Sequence, residues 1–344
     1  MFKRSGLGRA ARTLSLPCAE LTRKEAVLKG LAKRFLLHPA TMRAISGVAR
    51  PLLRRDRTRR RINRFYSGLS GHRKAIFGTF MARAFGTDEG SIEAGAWSLT
   101  FLDRPLRVPL RPETARLDWI YALSVLGHDR EVVDTYETLV RAEGVPATFL
   151  DMGANYGMHS LLFAKLGARV LSFEPNPGCG EFAAGIFAYN AVQPEWHGIA
   201  LGGSDGTIDL RFPEGETWMG TTDPDVADTL ASNRPMTSVR VPVRRLDEVV
   251  ENADIRGPVL VKIDVEGSEV VALSGGLSFI REHRPRIVFE ANDSDAKRKL
   301  GSFLDSIGYV SFSLPFDPAN PGVPMGGDAL AEAGGTNFLA QPHS

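Results

Sequence analysis

From Pro146 onward, short apolar runs rich in β-branched residues alternate with stretches of helical periodicity, and few folds accommodate such a pattern. Thr148–Met152, Arg169–Phe173, Val259–Ile263 and Arg286–Phe289 are short and almost continuously apolar, as strands buried on both faces are. Trp196–Leu201, Thr207–Phe212, Val239–Val243, Tyr309–Leu314 and Asn337–Ala340 also read as extended. A helix over His159–Leu166 follows the first strand, and another precedes Trp196. Alternation of this kind predicts an α/β fold with a doubly wound, mostly parallel sheet. Ligands lodge beyond the carboxyl ends of such strands.

The chain before Pro146 differs in character. Residues 1–85 carry 21 Lys and Arg against 3 acids, a charge of +18, so the remainder carries −16 within a total of +2. They read as a helical, basic extension. Thr22-Arg-Lys-Glu25 has capping-box spacing. Val27, Leu28, Leu31, Phe35 and Leu36 follow at helical spacing, and the densest charge runs from Arg54 to Arg61. A solvated face, an electrostatic clamp on the acidic remainder, and binding to RNA, DNA or anionic lipid headgroups all remain open for that cluster. Gly86–Gly90 suits a boundary. Residues 86–145 then read as a hairpin, Trp97–Leu102 with Leu106–Leu110, followed by helices at Leu117–Leu126 and Glu131–Arg141. Residues 146–344 form the third part.

No run approaches the roughly 18 apolar residues of a spanning helix, and the Arg-rich start lacks the apolar core of a secretory signal. The only cysteines, Cys18 and Cys179, have no metal-ligand spacing and fit a reducing compartment. A cytoplasmic location, peripheral to a membrane if the basic segment binds one, is the expectation.

Three stretches carry chemistry. In Phe149-Leu-Asp151-Met-Gly153-Ala-Asn155-Tyr-Gly157-Met-His-Ser160, a buried strand delivers an acid into a loop with two glycines, and a helix begins at once. Gly153 lets backbone approach a ligand and Gly157 permits the turn into the helix. Asp151 offers negative charge to a sulfonium or ammonium. The pattern is not Gly-x-Gly-x-x-Gly, which argues against a pyrophosphate and hence against a nicotinamide-dependent oxidoreductase, the enzymatic rival. Glu174, ending Val170-Leu-Ser-Phe-Glu174-Pro175, lies about twenty residues further on, where a carboxylate accepts hydrogen bonds from ribose hydroxyls. In Val259-Leu-Val-Lys262-Ile-Asp264-Val-Glu266-Gly267-Ser268-Glu269, alternation puts Lys262 and Asp264 on one side. Asp264, with Glu266 and Lys262 nearby, can orient or deprotonate a substrate hydroxyl. Order and spacing together point to an adenosyl cofactor.

These blocks, with Phe289-Glu290, resemble the FkbM-type S-adenosylmethionine-dependent methyltransferases over roughly Pro146 to Ala340. The resemblance implies a class I methyltransferase, Rossmann-like fold with a seven-stranded sheet whose last strand is antiparallel. It implies S-adenosyl-L-methionine as cofactor, with Asp151, Gly153, Asn155 and Gly157 along its methionine end and Glu174 on its ribose. O-methylation of a hydroxyl on a sugar, glycan or natural product is the activity it suggests. The basic segment before Phe85 is outside the family's pattern.

Plainer roles compete. Asp151 can merely cap the following helix, and Glu174 can be a strand-end surface acid. Asp264 and Glu266 can fix the loop after their strand, Glu269 can favour a helix dipole, and Lys262 can simply pair with an acid. Glu290 can face the cleft or solvent. His159 can pack beside the cofactor or transfer a proton, while His197 and His283 have no companions at metal spacing. Asp264, Glu266 and Glu269 offer oxygen ligands, but no metal is expected. The stretch Pro213–Pro235, with Trp218 and Met219, is a candidate lid. A polyanion-binding protein with a non-catalytic methyltransferase-like domain is the non-enzymatic alternative.

Overall fold

In the computed structural model, which describes residues 47–49, 51–85, 96–213, 220–221, 231 and 235–343, the runs read as doubly buried strands alternate between two cores. Phe149, Val170, Leu260 and Val288 face one core, whereas Leu150, Leu171, Val261 and Ile287 face the other. That is why these strands lack polar alternation. The Thr22–Glu25 capping box, Cys18, the Gly86–Gly90 boundary, Trp218 and Met219 lie outside the described residues.

Helices α1 (Asp56–Ser67) and α2 (Gly71–Phe85) precede a hairpin of β1 (Ala96–Phe101) and β2 (Arg104–Pro109). Helices α3 (Ala115–Ser124) and α4 (Arg130–Glu143) lead into β3 (Thr148–Met152), α5 (Met158–Leu166), β4 (Arg169–Phe173), α6 (Pro177–Tyr189) and β5 (Glu195–His197). Three strands follow: β6 (Ala200–Leu201), β7 (Gly206–Pro213) and β8 (Met236–Arg244). The chain then runs through α7 (Leu246–Val250), β9 (Val259–Ile263), α8 (Glu269–Ser274), α9 (Leu277–His283) and β10 (Arg286–Glu290). It finishes with α10 (Ser294–Ser306), β11 (Tyr309–Ser313), α11 (Gly327–Glu332) and β12 (Asn337–Pro342).

Seven strands form one sheet in the order β11-β12-β10-β9-β3-β4-β5. Only β12, last in the chain, runs antiparallel to its neighbours β10 and β11. This is the mostly parallel α/β architecture expected from the alternation. Strand order reverses around β3, with β4 on one side and β9 on the other, and this places a crevice at the tips of those three strands.

One expected strand is two. Trp196–Leu201 divides at Gly198-Ile199: β5 closes the edge of the main sheet, whereas β6 pairs with β8 in a separate sheet ordered β6-β8-β7. A glycine there lets the chain bend from one sheet to the other. The pattern of apolar residues alone does not register that change of partner.

The helices before the hairpin share a core with the sheet. Leu53, Tyr66, Met81 and Phe85 belong to the same cluster as Phe149 and Leu161. Asn63, buried on α1, fastens this join: its Nδ2 donates to the Ala122 carbonyl at 2.8 Å, and its Oδ1 accepts from Trp97 Nε1 at 3.1 Å. Asn63→Ala strands the indole N–H of a fully buried tryptophan, so we expect a loss of about 1–3 kcal/mol, read as a lower denaturant midpoint with an unchanged slope.

Candidate active site

The first glycine loop owes its shape to the protein's own backbone. Gly153 has φ +81°, and a Cβ there would lie 1.8 Å from the Asp264 carbonyl oxygen. The loop after β3 and the loop after β9 thus touch through a residue with no side chain, and the Asp264 N–H donates to the Met152 carbonyl at 2.9 Å. Gly153→Ala must both strain φ and push the Asp264 loop away. We expect destabilisation on the order of 3 kcal/mol or more, measurable by denaturant unfolding, together with loss of ligand binding in the crevice. Gly157, at φ +70°, is the N-cap of α5, and a Cβ there would meet the Phe187 ring at 2.5 Å.

A cleft with about 1040 Å³ of empty space, its open mouth included, lies at these tips. Gly153, Asn155, Glu174, Asp264 and Glu266 line it, and so does Cys179. Its apolar wall comes from Phe173, Ile199, Leu201, Ile208, Leu210 and Val243. Asp151, Gly157 and Lys262 do not line it.

Asp151 sits below the loop, fully buried. Its Oδ2 accepts from the Ser160 N–H at 3.0 Å and from the Ser160 hydroxyl at 2.5 Å, which ties the end of β3 to the first turn of α5. The expectation that its carboxylate lies along a ligand thus meets a different geometry. The side chain turns inward, and burial pushes its carboxyl above the usual range against the opposing pull of Ser160 and Lys262. Its other oxygen is buried without a hydrogen-bond partner among the described residues.

Glu174 is presented to the cleft from the tip of β4. One carboxylate oxygen accepts from the Asn155 N–H at 2.9 Å and the other from the Asn176 N–H at 2.8 Å. These bonds set its direction and leave lone pairs for a further donor. Burial nevertheless wins over them, and the carboxyl is pushed up to about 7.

On the far side of β3, Lys262 is 1% exposed and its Nζ lies 2.6 Å from Asp264 Oδ2. Burial would raise the Asp264 carboxyl, but the Lys262 charge and hydrogen bond outweigh it and hold the group below its ordinary range. Lys262 answers in kind: burial lowers it, yet Asp264 holds it above its ordinary value. The Asp264 side chain retains 26% exposure, so the lysine is the anchor and the carboxylate is the reachable group. Glu266, exposed at the rim, adopts φ +53° before Gly267. Glu269 secures that loop, with one carboxylate oxygen accepting from the Val265 and Gly267 N–H groups at 3.2 and 3.1 Å.

Glu290 ends β10, and because Phe289 pairs with Ile263 it stands beside Asp264. Burial first and the Asp264 charge second push its carboxyl up to about 8. His159 packs edge-on to Tyr136 with ring centroids 5.6 Å apart, and burial followed by the Lys262 charge lowers it to about 3, so its imidazole is neutral. His197 stacks on Phe173. Among the described residues, no group of His, Cys, Asp and Glu could hold a metal ion.

Sequence reasoning missed Cys179 and the whole wall from β6, β7 and β8. The alternation in Thr207–Phe212 signalled a strand with one apolar face, but nothing in it said that this face looks toward Glu174.

Residues 151–311 match the family described as Methyltransferase FkbM domain. No curated protein matches the chain significantly. Among solved structures, methyltransferase FkbM from Methylobacillus flagellatus KT is similar at 20% identity and a TM-score of 0.29, over 52% of this chain and 44% of that one. A ribosomal protein L11 methylase from Lactobacillus delbrueckii subsp. bulgaricus gives 14% identity and a TM-score of 0.33, over 63% and 81%. The SAM dependent methyltransferase from Agrobacterium tumefaciens gives 11% and 0.35, over 72% and 70%. The chain spans less than half the length of the first of these, and scores of this size carry no functional inference. Residues 151–311, just under half of the chain, are thus similar to the methyltransferase FkbM domain.

Proposed function

We propose that this protein is an S-adenosylmethionine-dependent O-methyltransferase acting on a hydroxyl of a sugar, glycan or natural product, with residues 146–344 as its catalytic domain. One observation carries the reading: a single cleft is lined by Glu174 at the tip of β4 and by Asp264 at the tip of β9, with the Gly153–Asn155 loop between them. The donor set fits the cofactor. The spare lone pairs of Glu174 suit two ribose hydroxyls, the apolar wall suits an adenine ring, and the Gly153–Asn155 loop suits the methionine end. Asp151 contributes through Ser160, by holding the loop against α5, rather than by contact.

When bound, S-adenosylmethionine would supply a methyl group on a positively charged sulfur, whose bond to that carbon would break to leave the neutral thioether S-adenosylhomocysteine. The residues of this chain supply position and a place for the proton. Asp264, kept ionised by Lys262, accepts a hydrogen bond from the acceptor hydroxyl and takes its proton as the oxygen attacks. In-line approach matters more than base strength, so fixing that hydroxyl contributes much of the rate. Calorimetric titration with S-adenosylhomocysteine and, separately, NAD tests the assignment. Binding of the first with no binding of NAD is expected, and binding of NAD alone would replace this enzyme with an oxidoreductase. Incubation with labelled S-adenosylmethionine and fractionated cell extract would then identify the fraction that gains label.

A specific surface favours a second element of this reading, recruitment to an anionic membrane. Opposite the buried residues Arg59, Asn63 and Tyr66, α1 turns Arg57, Arg61 and Arg64 outward. None forms an ion pair with a described residue, and exposed Leu52, Phe65 and Ile76 accompany them. Cations beside apolar side chains suit a lipid headgroup layer better than a bare phosphate backbone. No helix of the described residues is long and apolar enough to cross a membrane, so the contact would be peripheral, from the cytoplasmic side. Sedimentation with phosphatidylglycerol vesicles near physiological salt, lost when all three arginines become Glu, would support it. Binding to RNA but not to vesicles would sink it.

A further inference from the structure

The tip of β10 carries a carboxyl next to Asp264, behind the wall of the cleft. Strands β9 and β10 pair with Phe289 opposite Ile263, so Glu290 follows its strand beside Asp264. On its other flank, Asn337 of β12 is its register partner. Two neighbouring carboxyls at adjacent strand ends resist carrying two charges away from water, so this register favours one proton held between Glu290 and Asp264. Lys262, 2.6 Å from Asp264 and remote from any role in the cleft wall, decides where that proton sits. It stabilises the charge on Asp264 and leaves Glu290 as the protonated donor.

We infer that Glu290 is a positioning residue for methyl transfer: its carboxyl proton, donated to Asp264, fixes that carboxylate between Lys262 and the cleft, with one lone pair aimed at the acceptor hydroxyl. The inference rests on the proposed methyltransferase reading and adds to it a residue and a pH limit.

A second observation concerns the polar groups around this pair. Three buried polar atoms around it have no hydrogen-bond partner among the described residues: the Tyr136 hydroxyl, His159 Nδ1 and Asn337 Oδ1. Tyr136 and His159 both feel the Asp264 charge. Buried polar groups left unsatisfied are costly, so these atoms mark a polar interior beside the pair, of the kind that ordered water fills.

The groups facing Glu290 are Asp264 and Lys262 from β9 and Asp129 from the turn before α4. Two of the three are acids, so the proton on Glu290 is lost only on the alkaline side, at about 8. Once it leaves, Asp264 loses a donor and gains a repelling neighbour. Methyl transfer should therefore fall as pH rises through about 8, with a single ionisation.

Carboxyl-carbon NMR of the full chain tests the proton directly, without any acceptor. Two glutamate resonances should titrate far above the ordinary range, near 7 for Glu174 and near 8 for Glu290. Glu290→Gln should remove only the upper one, and Asp264→Asn should bring it down. Absence of any glutamate titrating near 8 overturns the proposal. Activity on the label-gaining extract fraction tests the role. Glu290→Gln keeps a donor at every pH, so it should retain most of kcat and lose the alkaline fall. Glu290→Ala should lose kcat by about 10–100-fold at all pH values with little change in cofactor affinity. If Gln is as poor as Ala, or shows the same alkaline fall as wild type, Glu290 is not the positioning donor. S-adenosylhomocysteine binding by each variant keeps the two levels apart. Its failure in the wild-type protein removes the methyltransferase reading and leaves the titration of the carboxyl pair standing as a separate fact.

Discussion

Asp264→Leu is expected to lower methyl transfer by about 10²–10⁴-fold and to destabilise the fold by about 3–5 kcal/mol, the second effect arising from Lys262. With its partner removed, a lysine 1% exposed is left charged and alone beneath the cleft. Buried ion pairs behave asymmetrically: losing one member costs far more than replacing both with apolar groups of similar volume. The double variant Lys262→Met/Asp264→Leu should therefore recover most of the lost stability and none of the activity. Denaturant midpoints for wild type, Lys262→Met, Asp264→Leu and the pair form the cycle, with transfer measured on the same four proteins. Should activity return together with stability, Asp264 serves the fold alone and another group must handle the acceptor proton.

The second large effect concerns Glu174 and acidity. Its carboxyl is pushed up to about 7 in the ligand-free cleft because burial outweighs the hydrogen bonds from Asn155 and Asn176. Ribose hydroxyls donate to the ionised form and would draw it down. Affinity for S-adenosylhomocysteine should thus be steady above about pH 7 and weaken as pH falls below it, approaching tenfold per unit. Glu174→Gln removes both the charge and half of the accepting capacity, so we expect weaker binding by about tenfold to a hundredfold at pH 8 and a flat profile below it. For the ligand-free protein the sign is opposite to that of an ordinary paired carboxylate. The folded state holds a proton that the unfolded state has released between about 4.5 and 7. Stability contributed at this site is therefore present at low pH and lost as pH rises through that window. Calorimetry across pH on wild type and Glu174→Gln reads both effects. An affinity that stays constant from pH 6 to 8 would mean that Glu174 does not meet the ligand.

The extent to which the site could be read from the sequence follows from how local each feature is. Thr148–Met152, Arg169–Phe173 and Val259–Ile263 occupy the bounds expected of them, because burial on both faces leaves a run of apolar residues that chain order alone displays. The acids at the carboxyl ends of β3, β4 and β9 close those runs, so their gathering at one end of the sheet follows from parallel strands. Their final directions do not. Asp151 and Glu174 look alike in sequence, each an acid at a strand end beside a turn. Asp151 turns inward because Ser160, nine residues on, offers it both an N–H and a hydroxyl, while Glu174 is held outward by the N–H groups of Asn155 and Asn176. Glu290 was visible as a strand-end acid, but its place beside Asp264 depends on the register between β9 and β10.

By itself, then, the sequence determined the kind of sheet, the order of its glycine and acid blocks and the concentration of positive charge before Phe85. All of these are written in neighbouring residues and their periodicity. Only the tertiary structure decided that Gly153 must lack a side chain because the Asp264 backbone presses against it. It also decided that β6, β7 and β8 wall the cleft, and that Lys262 lies buried as the counter-ion of Asp264. Each of these rests on groups far apart in the chain meeting at van der Waals or hydrogen-bond distance. Such meetings are fixed by packing between layers and by strand register, neither of which leaves a local trace.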